Sequence, residues 1–203
     1  MKLTTTTNRD ALQSAQSVVF IRWVIASIIL FVGFLTPSHA HGTHSSLMAK
    51  VDQSLKQKPK DGSLWFQRAM LQFEHEDLAA AAVDFEKAEK FAPGEFAVQW
   101  WQGKILAAQG KPLEAKATLD AYLAKIPDHW GALASRARVS MTLKNIPESL
   151  EDFRSALKRC PQPGPDLIQE VAQALAANEC TDEAVNILET GLNQLGYGSI
   201  PPA

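Results

Sequence analysis

Residues 62–95 read GSLWFQRAMLQFEHEDLAAAAVDFEKAEKFAPGE, residues 96–129 read FAVQWWQGKILAAQGKPLEAKATLDAYLAKIPDH, and residues 130–163 read WGALASRARVSMTLKNIPESLEDFRSALKRCPQP. The three stretches are equal in length and abut without a gap. Pro59, Pro93, Pro127 and Pro161 stand 34 residues apart. A ladder of mostly small side chains, Ala69, Gly103, Ala137 and Val171, has the same step. So do Ala81, Ala115 and Ser149, with Ala184 one residue late, and the bulky series Val51, Phe85, Leu119 and Phe153, with Leu188 one late. Four ladders on one period mark an internal repeat of the size found in stacked arrays.

Each rung has a physical meaning. A small side chain in mid-helix lets a second helix approach closely, and a bulky one sixteen residues on fills the space between antiparallel helices. Proline cannot continue a helix, so it closes each unit. Gln109-Gly110-Lys111-Pro112 and Lys144-Asn145-Ile146-Pro147 break their units into two apolar-periodic segments. The expected fold class is all-α, a right-handed α-solenoid of helix-turn-helix units.

A 34-residue helix-turn-helix with an early small residue, a later alanine, a bulky apolar residue and a closing proline resembles the tetratricopeptide repeat (TPR) family. The resemblance covers roughly residues 45–197 and implies about four repeats: 62–95, 96–129, 130–163 and 164–197. The last carries one extra residue near Cys180 and lacks the closing proline. Before them, in an N-terminal segment 41–61, Leu47, Val51 and Leu55 form an apolar stripe on an orphan capping helix expected over 45–58. Residues 198–203 are a tail. The chain departs from the family pattern at its fourth position, where Trp65 is followed by Gln99 and Leu133, and at its eleventh, where Gln72, Leu106 and Ser140 replace tyrosine.

The resemblance also implies which side chains face the concave groove: Ser63, Phe66, Met70 and Phe73; Ala97, Trp100, Lys104 and Ala107; Gly131, Ala134, Arg138 and Met141; then Ile168, Ala172 and Leu175. Phe66, Met70, Phe73, Trp100, Lys104, Arg138 and Met141 are the candidate peptide-binding residues. Such a trough, apolar with two cations near its middle, suits an amphipathic or extended peptide that carries an acidic group. The competing reading of its apolar members is inter-repeat core. Met70 stands where chaperone-binding members carry a clamp asparagine, so that partner class is not expected. The implied function is a non-enzymatic scaffold for a protein or peptide partner, with no cofactor.

The whole chain has 203 residues, 46% of them hydrophobic, and 20 basic against 22 acidic side chains. A net charge of -2 gives no field for a nucleic-acid backbone, and two cysteines build neither a disulfide scaffold nor a cysteine-rich zinc site. At the start, Lys2, Arg9 and Arg22 precede an apolar run from Trp23 to Leu35, and Ser38-His39-Ala40 follows. That order reads as a signal peptide, residues 1–40, cut after Ala40. The alternative is an uncleaved membrane anchor over 18–35 with Arg22 reaching the headgroups, which would make the protein a membrane-tethered assembly factor. Either way the remainder is expected outside the cytoplasm, periplasmic or secreted.

No metal site is expected. The only candidates are His41 and His44, where a new N-terminal amine beside imidazoles would suit a copper or nickel carrier. His75 and His129 are expected in connections between helices, away from any metal-ligand motif in the sequence. Cys160 and Cys180 are expected at opposite ends of a helix, about 18 Å apart, too far for a bridge that needs Cα atoms within about 7 Å. Asp84, Glu86, Glu114, Glu148, Glu151 and Asp152 are expected on solvated faces of second helices, and no catalytic constellation is expected. The last helix, with Leu188, Leu192 and Leu195, has no polar helix after it. That edge is expected either to dock on a partner or to mark a shortened member of a longer family.

Overall fold

A computed structural model describes residues 41–194. The expected leader or anchor within 1–40, the end of the fourth unit and the tail lie outside the described residues. The chain divides into two units, 1–46 and 47–203. Of the first, residues 41–46 are described and are helical. Among the described residues there is no strand, and no helix is long and apolar enough to cross a membrane. The helices are α1 (His41–Gln57), α2 (Gly62–Glu74), α3 (Leu78–Phe91), α4 (Val98–Ala108), α5 (Pro112–Leu123), α6 (Trp130–Thr142), α7 (Ile146–Arg159), α8 (Pro165–Ala177) and α9 (Thr181–Gln194). From α2 onward each packs on the next, and α4 also meets α6. This is the packing of an all-α solenoid.

Local chemistry sets the helix ends. Asp61 caps α2 by accepting from the Ser63 N–H, and Asp77 caps α3 by accepting from the Ala80 N–H. Proline opens α5, α7 and α8, where its missing N–H is harmless. Inside each unit the first helix ends on a residue in the left-handed region: Glu76 (φ 62°), Gly110 (φ 73°), Lys144 (φ 61°) and Glu179 (φ 65°). The first three are one period apart and the fourth is one residue late, as the ladders are. After each, the next N–H reaches back to a carbonyl five residues earlier: Asp77 to Gln72, Lys111 to Leu106, Asn145 to Ser140 and Cys180 to Leu175. This is a Schellman closure. Only Gly110 among the four carries the residue that this conformation favours.

The small and bulky ladders are the core. Ala69, Ala137 and Val171 are fully buried, as are Ala81, Ala115 and Ser149. Gly103 is needed as glycine, because a Cβ there would lie 2.7 Å from Leu119 Cγ on the partner helix sixteen residues on. Phe85 and Leu119 are fully buried and Phe153 nearly so, whereas Val51 and Leu188, the outermost rungs, are half-buried.

Two of the acidic residues expected in solvent are not there. Asp84 is 2% exposed and Asp152 5%. Arg68 on α2 donates from Nε and Nη2 to both oxygens of Asp84 on α3, at 2.6 and 3.0 Å, and from Nη1 to Asp52 on α1 at 2.9 Å. One double period later Arg136 on α6 does the same to Asp152 on α7, at 2.7 and 2.8 Å, and to Asp120 on α5 at 2.8 Å. Each arginine ties its own helix to the second helices before and after it, all at a spacing of sixteen. The forked contact raises both guanidiniums above their ordinary pKa, so the pairs stay ionised. Glu86, Glu114 and Glu151 are exposed as expected, while Glu148 is half-buried and bonded to Lys116.

Candidate functional site

The candidate groove residues divide by what they touch. Phe66 stacks on Phe96 with ring centroids 4.5 Å apart and meets Phe85 edge-on at 5.5 Å. Met70 packs, half-buried, against the same cluster. Trp100 is a strut between units. Its Nε1 donates to Ser135 Oγ at 2.8 Å, and its ring fills the space at Gly131, where a Cβ would come within 2.8 Å of it. Met141 packs, half-buried, on the cluster that runs from α5 to α9.

Five further positions that the resemblance placed in the groove, Gly131, Ala134, Ile168, Ala172 and Leu175, are buried, which corrects that expectation. Trp100 covers Gly131. Ile168 sinks against Gly191 of α9, whose missing Cβ opens the space. Ala172 and Leu175 belong to the core between α8 and its neighbours.

The remaining candidates come together. A cavity of ≈ 320 Å³ is lined by Phe73, Gly103, Lys104, Ala107, Arg138 and Thr142, with the buried Leu119 and Val139 among its other walls. Lys104 Nζ lies 3.8 Å from the centroid of Trp101, 4.8 Å from Phe73 and 5.3 Å from Trp100. Those ring faces favour its charged form. Burial works against them: together with the nearby Arg138 it pushes the amine down to about 8, and Glu74 offsets this only in part. Among the described residues no carboxylate is hydrogen-bonded to Lys104. Arg138 is 49% exposed and is held by Glu170. The cavity therefore offers a half-desolvated ammonium with no carboxylate bonded to it among the described residues, a guanidinium beside it and apolar walls. That is a receptor for a negatively charged group attached to an apolar one.

A larger hollow of ≈ 590 Å³ borders the connections before α4 and α6. Its charges are mixed, with Lys125 bonded to Gln99 and Glu89 to the Gly94 N–H, so it presents no comparable demand. His129, read from sequence as part of a connection, caps α6: its Nδ1 accepts from the Ala132 N–H at 3.0 Å. Burial lowers its pKa, which keeps the imidazole neutral as that role requires. Among the described residues no three His, Cys, Asp or Glu side chains gather to hold a metal ion. Cys160 and Cys180 are both free thiols, Cys160 buried and Cys180 half-buried.

The residue that sequence reasoning missed at this site is Glu170, which accepts from Arg138 Nε and Nη2 at 2.6 and 2.5 Å. Its signal was present, since it stands in register with Arg68 and Arg136 and reverses their charge.

Compared with known proteins, residues 102–162 match the family model described as Tetratricopeptide repeat. No curated protein sequence matches the chain. Among solved structures, a thermophilic TPR protein of Thermus thermophilus superposes with a TM-score of 0.65 at 16% identity, over 78% of this chain and 86% of that one. PilW, described as a type IV pilus biogenesis factor, gives a TM-score of 0.62 at 19% identity, over 75% and 70%. YrrB, described as a TPR protein with an unusual peptide-binding site, gives 0.50 at 15% identity, over 77% and 80%.

Proposed function

We propose, from the premise that this chain is a tetratricopeptide-repeat protein, that it is a non-enzymatic scaffold whose groove takes a polypeptide partner bearing a carboxylate. The cavity at Phe73, Lys104, Ala107 and Arg138 receives an apolar side chain, and the two cations receive the acid. The observation that carries this reading is the half-desolvated Lys104 beside Arg138, with no carboxylate bonded to it among the described residues. Keeping such a cation out of water without an anion is unfavourable, and a ligand carboxylate would relieve it. Peptide binding is named for one structural neighbour, YrrB, and here it is an inference. The leader-like first forty residues place the scaffold, in this proposal, in the cell envelope.

The test is a pull-down from envelope extract with wild-type bait and with Lys104→Glu/Arg138→Glu. Two reversed charges change the site by four units, and like-charge contacts at an interface cost several kcal/mol. Specific partners should therefore fall by about tenfold or more. Equal recovery of every partner by both baits would show that the groove does not bind through these cations.

A further inference from the structure

The seventh position of the repeat holds Arg68, Gln102, Arg136 and then Glu170. In the first and third units its arginine turns to aspartates on the flanking second helices. In the fourth the charge is inverted, and Glu170 crosses from α8 to the Arg138 fork on α6 through Nε and Nη2. Among the described residues Arg138 Nη1 has no protein acceptor.

We propose that Glu170 is an internal competitor for the groove ligand: its carboxylate holds Arg138 in the place that the ligand's carboxylate would take, and so sets how strong a ligand must be to bind. The inference rests on the groove reading above. One edge of a guanidinium donates to one carboxylate in the two-bond geometry. An incoming acid must therefore displace Glu170 or settle for Nη1 and Lys104 with an anion close by. Lys104, Arg138 and Glu170 together carry a single positive charge, and without the Glu170 charge they carry two. A ligand that brings both an acid for Lys104 and an apolar group for the cavity can win, whereas an acid alone meets an already satisfied arginine. The pair is a poor candidate for a structural bolt. Its side chains are 49% and 34% exposed, and the bolting role in this fold belongs to Arg68 and Arg136.

The experiment uses fluorescein-labelled Ala-Leu-Glu-Glu-Leu-Ala with an amidated C-terminus, and its counterpart with both Glu replaced by Gln, read by anisotropy. The full chain is tested as wild type, Glu170→Gln, Arg138→Gln and the double variant, each checked by thermal melting. Wild type should prefer the Glu peptide. Glu170→Gln should bind that peptide about two- to fivefold more tightly, the upper part of the range for exposed charge pairs, with a steeper salt dependence and no gain for the Gln peptide. In the Arg138→Gln background the gain should vanish. Glu170→Ala repeats the measurement without an amide that could re-form the bond. No gain in either Glu170 variant, while wild type still prefers the Glu peptide, would overturn this inference and leave the groove reading standing. An equal gain for both peptides would overturn it as well. If no protein distinguishes the two peptides, the groove reading falls and this inference falls with it.

Discussion

Asp152→Ala is expected to lower the free energy of unfolding by about 3 kcal/mol, the scale for removing one partner of a buried ion pair. The aspartate is 5% exposed and accepts two bonds from Arg136. Without it the guanidinium, with its side chain 21% exposed, keeps only Asp120, itself shared with Lys116. The loss should appear as a lower midpoint in urea with an unchanged slope. Glu151→Ala, one residue away and exposed, should stay within about 0.5 kcal/mol. In a double-mutant cycle Arg136→Met should recover much of the loss, because the damage lies in the abandoned cation. An Asp152→Ala protein as stable as wild type would show that the forked pairs do not hold the two helices of a unit together.

The second large effect is at Phe85. Its ring is fully buried, stacks on Trp101 at 5.5 Å and meets Phe66 edge-on. Phe85→Ala should lower stability by about 3–5 kcal/mol. In a repeat array each unit contacts only its neighbours, so the damage should stay local. Hydrogen exchange should show lost protection concentrated in α2, α3 and α4, with α7, α8 and α9 close to wild type. Equal loss along the whole array would contradict a fold built of separable, stacked units.

The fold was legible because its signals are local and periodic. A proline after each second helix, an alanine or glycine where helices touch and a phenylalanine or leucine sixteen residues on can all be seen without knowing any long-range contact. Each small or bulky rung from Ala69 to Phe153 proved to be buried, while the prolines between them stay exposed. The buried charges were not legible in the same way. Asp84 and Asp152 sit among charged neighbours on helices whose opposite face is apolar, and helical periodicity alone assigns them to solvent. What draws them in is an arginine on another helix, reaching along the packing seam. The clue was arithmetical, in the form of Asp52-Arg68-Asp84 and Asp120-Arg136-Asp152 at spacings of sixteen.

The left-handed turns at Glu76, Lys144 and Glu179 were hidden for a related reason. The conformation is imposed by closure of the helix pair, and only Gly110 advertises it. At the candidate site, the resemblance to the repeat family pointed to Phe73, Lys104 and Arg138 but could not separate them from Phe66 and Trp100. Facing inward at helical spacing is common to groove and core. The division depends on which rings neighbouring units press together, and that is a tertiary fact.

The most direct test of the groove reading is site-specific photo-crosslinking in living cells. A benzophenone amino acid is placed at Thr142, which lines the cavity and is exposed, or at Val83, which is 49% exposed on α3 and does not line it. The account expects a discrete partner adduct from Thr142, lost in the Lys104→Glu/Arg138→Glu background, and none from Val83. An adduct from Val83 alone, or one from Thr142 that survives charge reversal, would contradict it.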